Sequence, residues 1–221
     1  MKKLKNFLEC NEKENWWLNR NYFFVATLIL ITSMVLIYAF IPNQLRWDLA
    51  SGSQPHWNDH LNFINIFISF WASFSHLNAL HLFGNMLTFT VLGMYFERRL
   101  GSLKFLTFIL LLAFFTSTAI SANINTNWTG FSGVNFALKT FVILNFISLL
   151  LSNKKISKSN IAWQLVSTAW VFITMSVQLE PFAIRLYPFQ NMGHYSSMLA
   201  GLILFLTLAL FKIKKPSKPQ N

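Results

Sequence analysis

From Leu103 to Ser121 the chain reads LKFLTFILLLAFFTSTAIS, nineteen residues whose only charge is Lys104 near the leading edge. At about 1.5 Å of rise per residue a helix over this run is about 29 Å long, close to the roughly 30 Å hydrocarbon core of a bilayer. Apolar and polar residues do not alternate, so a barrel strand is the wrong reading. Comparable runs lie outward from it at 22–41, 76–96, 132–151, 161–178 and 193–213. A chain of 221 residues that is 54% hydrophobic, 17% aromatic and 11% charged is wrong for a water-soluble domain. The expected fold is all-α, a polytopic membrane protein with a bundle of six transmembrane helices. The bundle is expected over 22–213, between tails at 1–21 and 214–221.

A net charge of +11 raises the question of nucleic acid, and the placement of the cations answers it. Six runs leave seven polar segments, of which alternate ones share a side. One side carries Lys2, Lys3, Lys5, Lys13 and Arg20, then Arg98, Arg99 and Lys104, then Lys154, Lys155 and Lys158, and finally Lys212, Lys214, Lys215 and Lys218. The other side has Arg46 and Arg185, and Lys139 falls inside a span. This asymmetry puts both termini in the cytoplasm by the positive-inside rule. The basic excess therefore serves topology and contact with anionic lipid, and no nucleic-acid partner is expected. A lone Cys10 excludes an intramolecular disulfide framework. The first run begins at Tyr22 with no small-x-small cleavage pattern after it, so it reads as a retained span. The segment from Pro42 to Phe74, with Trp47, Trp57, Phe63, Phe67, Phe70 and Trp71, suits a loop with short helices at headgroup depth.

Polar residues inside spans are informative because the membrane penalises each one that lacks a partner. Three clusters stand out: His76, His81 and Asn85 in the second span; Ser132 within Gly130-Phe131-Ser132-Gly133; and His194 in Gly193-His194. With the orientation above, even-numbered spans run inward, so all three clusters lie near the outer ends of their spans and meet at one depth. His81 and Asn85, four apart, share a helix face. A serine set among glycines after a loop can expose its hydroxyl and its backbone N–H together, as a nucleophile beside an oxyanion site requires. His194 is the candidate base. Gly193, Ser197 and Gly201 recur every four residues, a small-residue stripe that brings the sixth span close to the fourth.

At these residues the chain resembles the rhomboid family of intramembrane serine proteases. His76-Leu-Asn-Ala-Leu-His81-Leu-Phe-Gly-Asn85 matches the family's second-helix pattern, and Phe96-Glu97-Arg98-Arg99-Leu100-Gly101 the turn that follows it. Gly130-Phe131-Ser132-Gly133 matches the nucleophile motif, and His194 with Gly201 the sixth-helix motif. The likeness runs from about 67 to 205. It implies a Ser132–His194 dyad, oxyanion donors at Asn85 and His81, and a structural part for His76. Gly130, Gly133, Phe136, Gly193 and Gly201 would shape the site. It also implies membrane-protein substrates with a helix-destabilised transmembrane segment, a mobile fifth helix over Ala162 to Gln178, and a cap loop containing Tyr187 and Phe189. A bacterial inner membrane is the expected location. The family's usual Trp-Arg pair in the first loop is replaced by Phe67-Ile68. Its stacking tyrosine falls at Phe136, which cannot donate a hydrogen bond, and a common glycine falls at Ser197.

No acidic residue is positioned to orient His194: Asp48 and Asp59 lie in the first loop, Glu97 at a cytoplasmic turn and Glu180 in the fifth loop. A dyad is therefore expected, with no metal or organic cofactor. His-Glu-x-x-His is absent, as is a pair of intramembrane aspartates. His56 and His60 are four apart but lack a clear third ligand, so they read as a solvated pair. Lys139 lies seven residues past Ser132, about 10 Å deeper by helical rise, too far for direct proton transfer. It would snorkel, lose its charge or occupy a polar cavity. Two rival readings are a rhomboid-like protein that binds transmembrane helices without cutting them, and a transporter. The first conflicts with retention of both Ser132 and His194; the second would need polar groups along the whole depth.

Overall fold

A computed structural model describes residues 24–52, 63–123, 130–151, 158–178 and 188–213. The described residues form α1 (Val25–Phe40), α2 (Asn43–Gly52), α3 (Phe63–Ala72), α4 (Ala79–Leu100), α5 (Ser102–Asn123), α6 (Ser132–Leu150), α7 (Lys158–Gln178) and α8 (Pro188–Ile213). No strand occurs among them. α4 and the Ser102–Ala119 part of α5 are long and apolar enough to cross a bilayer. Four shorter apolar stretches lie in α1, α6, α7 and α8.

The surface supports the membrane reading. Leu28 and Ile29 of α1, Leu111 and Phe115 of α5, Val166 and Ile173 of α7, and Leu199 and Ile203 of α8 all face outward. Ser117 of α5, Lys139 and Asn145 of α6, and Gln164 of α7 are instead buried. Exposed apolar residues in such number would drive a water-soluble protein to associate; against lipid they are at home. The interior combines this polar set with Met34, Phe89, Leu92, Phe105, Phe131, Phe141 and Val142.

Three local devices set the frame. The first is Glu97 in the last turn of α4. Its carboxylate accepts the Ala26 N–H at 2.8 Å, the Thr27 N–H at 2.9 Å and the Thr27 hydroxyl at 2.6 Å. Phe24 at the α1 N-cap makes no side-chain cap bond, so Glu97 serves in its place and meets the positive end of the helix dipole. The start of α1 thus lies beside the end of α4, and the two run antiparallel. Gly93 permits the approach, since a Cβ there would sit 2.8 Å from Thr27 Oγ1.

The second is Gly101, at φ +76°, which ends α4 with its N–H on the Glu97 carbonyl at 2.7 Å. α5 begins at the next residue, and the hairpin closes with Phe89 stacked on Phe105. The third is a buried polar knot joining α4, α6 and α7. The Tyr95 hydroxyl donates to Gln164 and accepts from Arg99 and from Asn145 Nδ2. Gln164 Nε2 in turn donates to the Val142 carbonyl at 3.1 Å.

The boundaries correct several expectations. The second span starts as a helix at Ala79, so His76 belongs to the connection before it. α7 begins at Lys158 and α8 at Pro188, which makes Phe189 helical instead of part of a loop; Tyr187 lies outside the described residues. Between Pro42 and Phe74 two short helices do occur, with Trp47, Phe67 and Trp71 exposed. Arg46 joins α2 to α1 by donating to the Tyr38 carbonyl at 2.6 Å, with its guanidinium over the Tyr38 ring. Cys10, His56, Trp57 and His60 lie outside the described residues, as do both tails.

Candidate active site

The first wall of the site is built by the entry into α4. Asn78 has extended backbone, and its side chain accepts the His81 N–H at 2.8 Å. An asparagine cap of this kind satisfies one of the donors that a helix start leaves open. It places His81 in the first turn and Asn85 one turn later on the same face. His76, fully buried, lies just before the cap with its ring 5.2 Å from that of His81, edge to face. Asn85 Nδ2 and His76 Nε2 are 3.0 Å apart.

The second wall is the turn into α6. Gly130 has φ +99°, a conformation that favours glycine. Its N–H bonds the Ala72 carbonyl at the end of α3, at 3.0 Å. A Cβ on Gly130 would lie 2.5 Å from His81 Cε1, 3.0 Å from His81 Nε2 and 3.3 Å from Asn85 Nδ2. The glycine therefore lets the imidazole and the amide close on the backbone two residues before the serine. Phe131 anchors the turn by packing on Phe74 and Phe89, and its N–H reaches His76 Nε2 at 3.4 Å.

Ser132 opens α6 and is 5% exposed. Its N–H belongs to the first turn, where the helix supplies no acceptor and the dipole favours negative charge. Gly133 beside it is buried. One turn on, the Phe136 ring stacks on His194 with centroids 4.1 Å apart and planes 22° from parallel. The small-residue stripe makes this possible: Ser197 is fully buried, and a Cβ on Gly201 would lie 2.9 Å from the Ala137 carbonyl oxygen. Further along, Phe205 meets Phe141, so α6 and α8 run parallel in close contact. Gly193 falls within α8.

Lys139 is where the sequence expectation needed most revision. It is 0% exposed, which excludes snorkelling, and its Nζ lies 4.4 Å from the centre of the Phe136 ring. Side chains on a helix lean toward its N-terminus, so the amine rises from the depth of its Cα to the ring on which His194 stacks. Asn135 was missed altogether. Its Nδ2 donates to the Asn85 carbonyl at 3.1 Å and to Asn85 Oδ1 at 3.3 Å. A polar residue three positions past Ser132 in an apolar span was the signal that could have found it.

The arrangement gathers a hydroxyl at a helix start, an imidazole held against an aromatic ring, and two side chains able to donate hydrogen bonds beside the preceding glycine. These are the parts that acyl transfer through a serine needs. Among the described residues no three His, Cys, Asp or Glu side chains come together as a metal cage would require. A family profile described as Rhomboid domain matches residues 63–211, from the start of α3 into α8. No curated protein matches the chain at a significant level.

Proposed function

The chain belongs to the rhomboid family of integral membrane proteins, and from that premise we propose that it is an intramembrane serine endopeptidase. Its substrates are membrane proteins, cut in or beside a transmembrane segment. The Ser132 hydroxyl attacks the scissile carbonyl, and His194 takes the hydroxyl proton and returns it to the leaving amine. Water then releases the acyl group by the same base. The oxyanion of each tetrahedral intermediate is held by the Ser132 N–H, Asn85 and His81.

The observation that carries this reading is the stack of His194 on Phe136, one helical turn from Ser132. A two-residue mechanism has no carboxylate to orient its imidazole, and an aromatic face 4.1 Å away restrains the ring instead. The hydroxyl that a tyrosine would bring to this position is dispensable for stacking.

Six spans within 22–213, both termini in the cytoplasm and a bacterial inner-membrane location complete the proposal, supported by the distribution of cations along the chain. Partners are then the substrate helix and the lipid bilayer, with no cofactor and no nucleic acid. Substrates with helix-destabilising residues near the outer interface fit a site built at the ends of α4 and α6, since an extended segment must reach Ser132. The test is cleavage of a fluorescently tagged transmembrane substrate by the protein in proteoliposomes. Wild type is expected to yield a discrete product and Ser132→Ala none. Stable capture of the substrate by wild type without any product would favour a helix-binding protein that does not cut.

A further inference from the structure

We propose that Asn135 is a positioning residue for this cleavage, holding the Asn85 side-chain amide with its N–H groups turned toward the oxyanion region. The inference rests on the proposed role of Asn85 as an oxyanion donor.

A side-chain amide can face either way, and only one face donates. Here its direction is set from both ends of a short chain of hydrogen bonds. At one end Asn135 Nδ2 lies 3.1 Å from the Asn85 carbonyl oxygen, which can only accept. That contact fixes which side of the Asn135 amide is the donor. The same Nδ2 lies 3.3 Å from the Asn85 side chain, so the facing atom there must be the acceptor, Oδ1. The Asn85 N–H₂ is consequently turned the other way, to His76 Nε2 at 3.0 Å.

At the far end the Phe131 N–H points at that same His76 nitrogen, at 3.4 Å. A backbone N–H can only donate, so His76 Nε2 is the lone-pair nitrogen and again requires the Asn85 N–H₂. Two backbone groups on different elements thus impose one orientation on the amide between them. His76 consumes one of the two Asn85 donor hydrogens. The second remains beside Gly130, where Asn85 Nδ2 and His81 Nε2 come within 3.3 and 3.0 Å of the position a Cβ would take.

Without Asn135 the Asn85 oxygen loses its side-chain donor and only the His76 contact still opposes a half-turn of the amide, which would aim that oxygen at the site. An oxyanion would then meet a lone pair instead of an N–H. Asn135 is 2% exposed and three residues from Ser132 on the same helix, so the helix that delivers the nucleophile also sets the donor opposite it.

The experiment compares Asn135→Leu, Asn85→Ala and the double variant, with Asn135→Ala as a second substitution that cannot overpack. Cleavage of a transmembrane substrate is followed in proteoliposomes, and unfolding in detergent is measured for each. Asn135→Leu is expected to lower kcat at least about tenfold, and by no more than the roughly 10²–10³-fold typical of deleting an oxyanion donor. KM should change less than about twofold, since the interaction is made in the transition state. In the Asn85→Ala background the second substitution should cost less than about twofold, because residues acting as one unit are not additive. Unchanged kcat in Asn135→Leu and Asn135→Ala, while Asn85→Ala is slow, overturns the inference and leaves the oxyanion reading standing. An equal loss in both backgrounds, or failure of both Asn135 variants to fold, also overturns it. Full activity of Asn85→Ala would instead remove the reading on which it rests.

Discussion

Replacing Gly201 by alanine tests how His194 is delivered to its place. The added Cβ would lie 2.9 Å from the Ala137 oxygen, 3.0 Å from its Cα and 3.2 Å from its Cβ. Comfortable carbon contacts are about 3.5–4.0 Å, so the shortfall is about 0.5–1 Å. The two nearest atoms are backbone and cannot rotate aside; α8 must move away from α6. Overpacking of this kind costs about 1–3 kcal/mol, which a domain of about 5–15 kcal/mol stability survives. The chemistry is less forgiving. His194 lies seven residues before Gly201 on the same helix, and a misplacement near 1 Å can cost about 10²-fold in rate. Gly201→Ala protein should remain folded with a lowered unfolding midpoint in detergent, and should cleave at least about tenfold more slowly in proteoliposomes. Gly84→Ala is the control, since nothing lies within 4 Å of a Cβ there; it should keep its rate and gain up to about 1 kcal/mol from helix propensity. Full cleavage with an unchanged midpoint in Gly201→Ala would refute the argument that α8 approaches α6 by way of this glycine.

Glu97→Gln replaces one accepting oxygen by an N–H₂ facing backbone donors at the start of α1 and should cost about 1–3 kcal/mol in detergent unfolding, while the folded fraction cleaves normally. Gly130→Ala meets both the positive φ and the His81 ring, and product formation should fall below detection even where circular dichroism shows a folded protein. Lys139→Met replaces the buried amine by an apolar side chain of similar length, and the protein should remain folded in detergent. Cleavage by that variant should continue and still require His194; its complete loss would assign Lys139 the proton transfer instead.

Much of the architecture could be read from local signals, and the exceptions share a cause. The run 103–121 became α5 over 102–123 because an uninterrupted apolar stretch has no competing conformation in lipid. His76 was read into the second span because His-Leu-Asn continues the apolar segment in composition. Asn78, a residue type favoured at helix starts, already marked the true boundary two residues on. The motif order brought out Ser132, His194, His81 and Asn85. Glu97 matched a motif, but its capping role depends on Ala26 and Thr27, about seventy residues away in the chain. Counting rise along α6 put the Lys139 backbone at its proper depth and misjudged its amine, because a long side chain can climb a full turn toward the helix start. Asn135 escaped because its partner lies on another helix, and a lone amide in an apolar span does not reveal which one.

The central claim is that Ser132 is a nucleophile activated by His194. The most direct measurement is labelling of the purified protein with a fluorophosphonate, with the modified residue located by peptide mass spectrometry, in wild type, Ser132→Ala, His194→Ala and Lys139→Met. The expected result is a single adduct on Ser132 in wild type and in Lys139→Met, and none in Ser132→Ala or His194→Ala. An unactivated serine hydroxyl is a poor nucleophile at neutral pH. Labelling of Ser132 at the wild-type rate in His194→Ala protein would contradict the dyad.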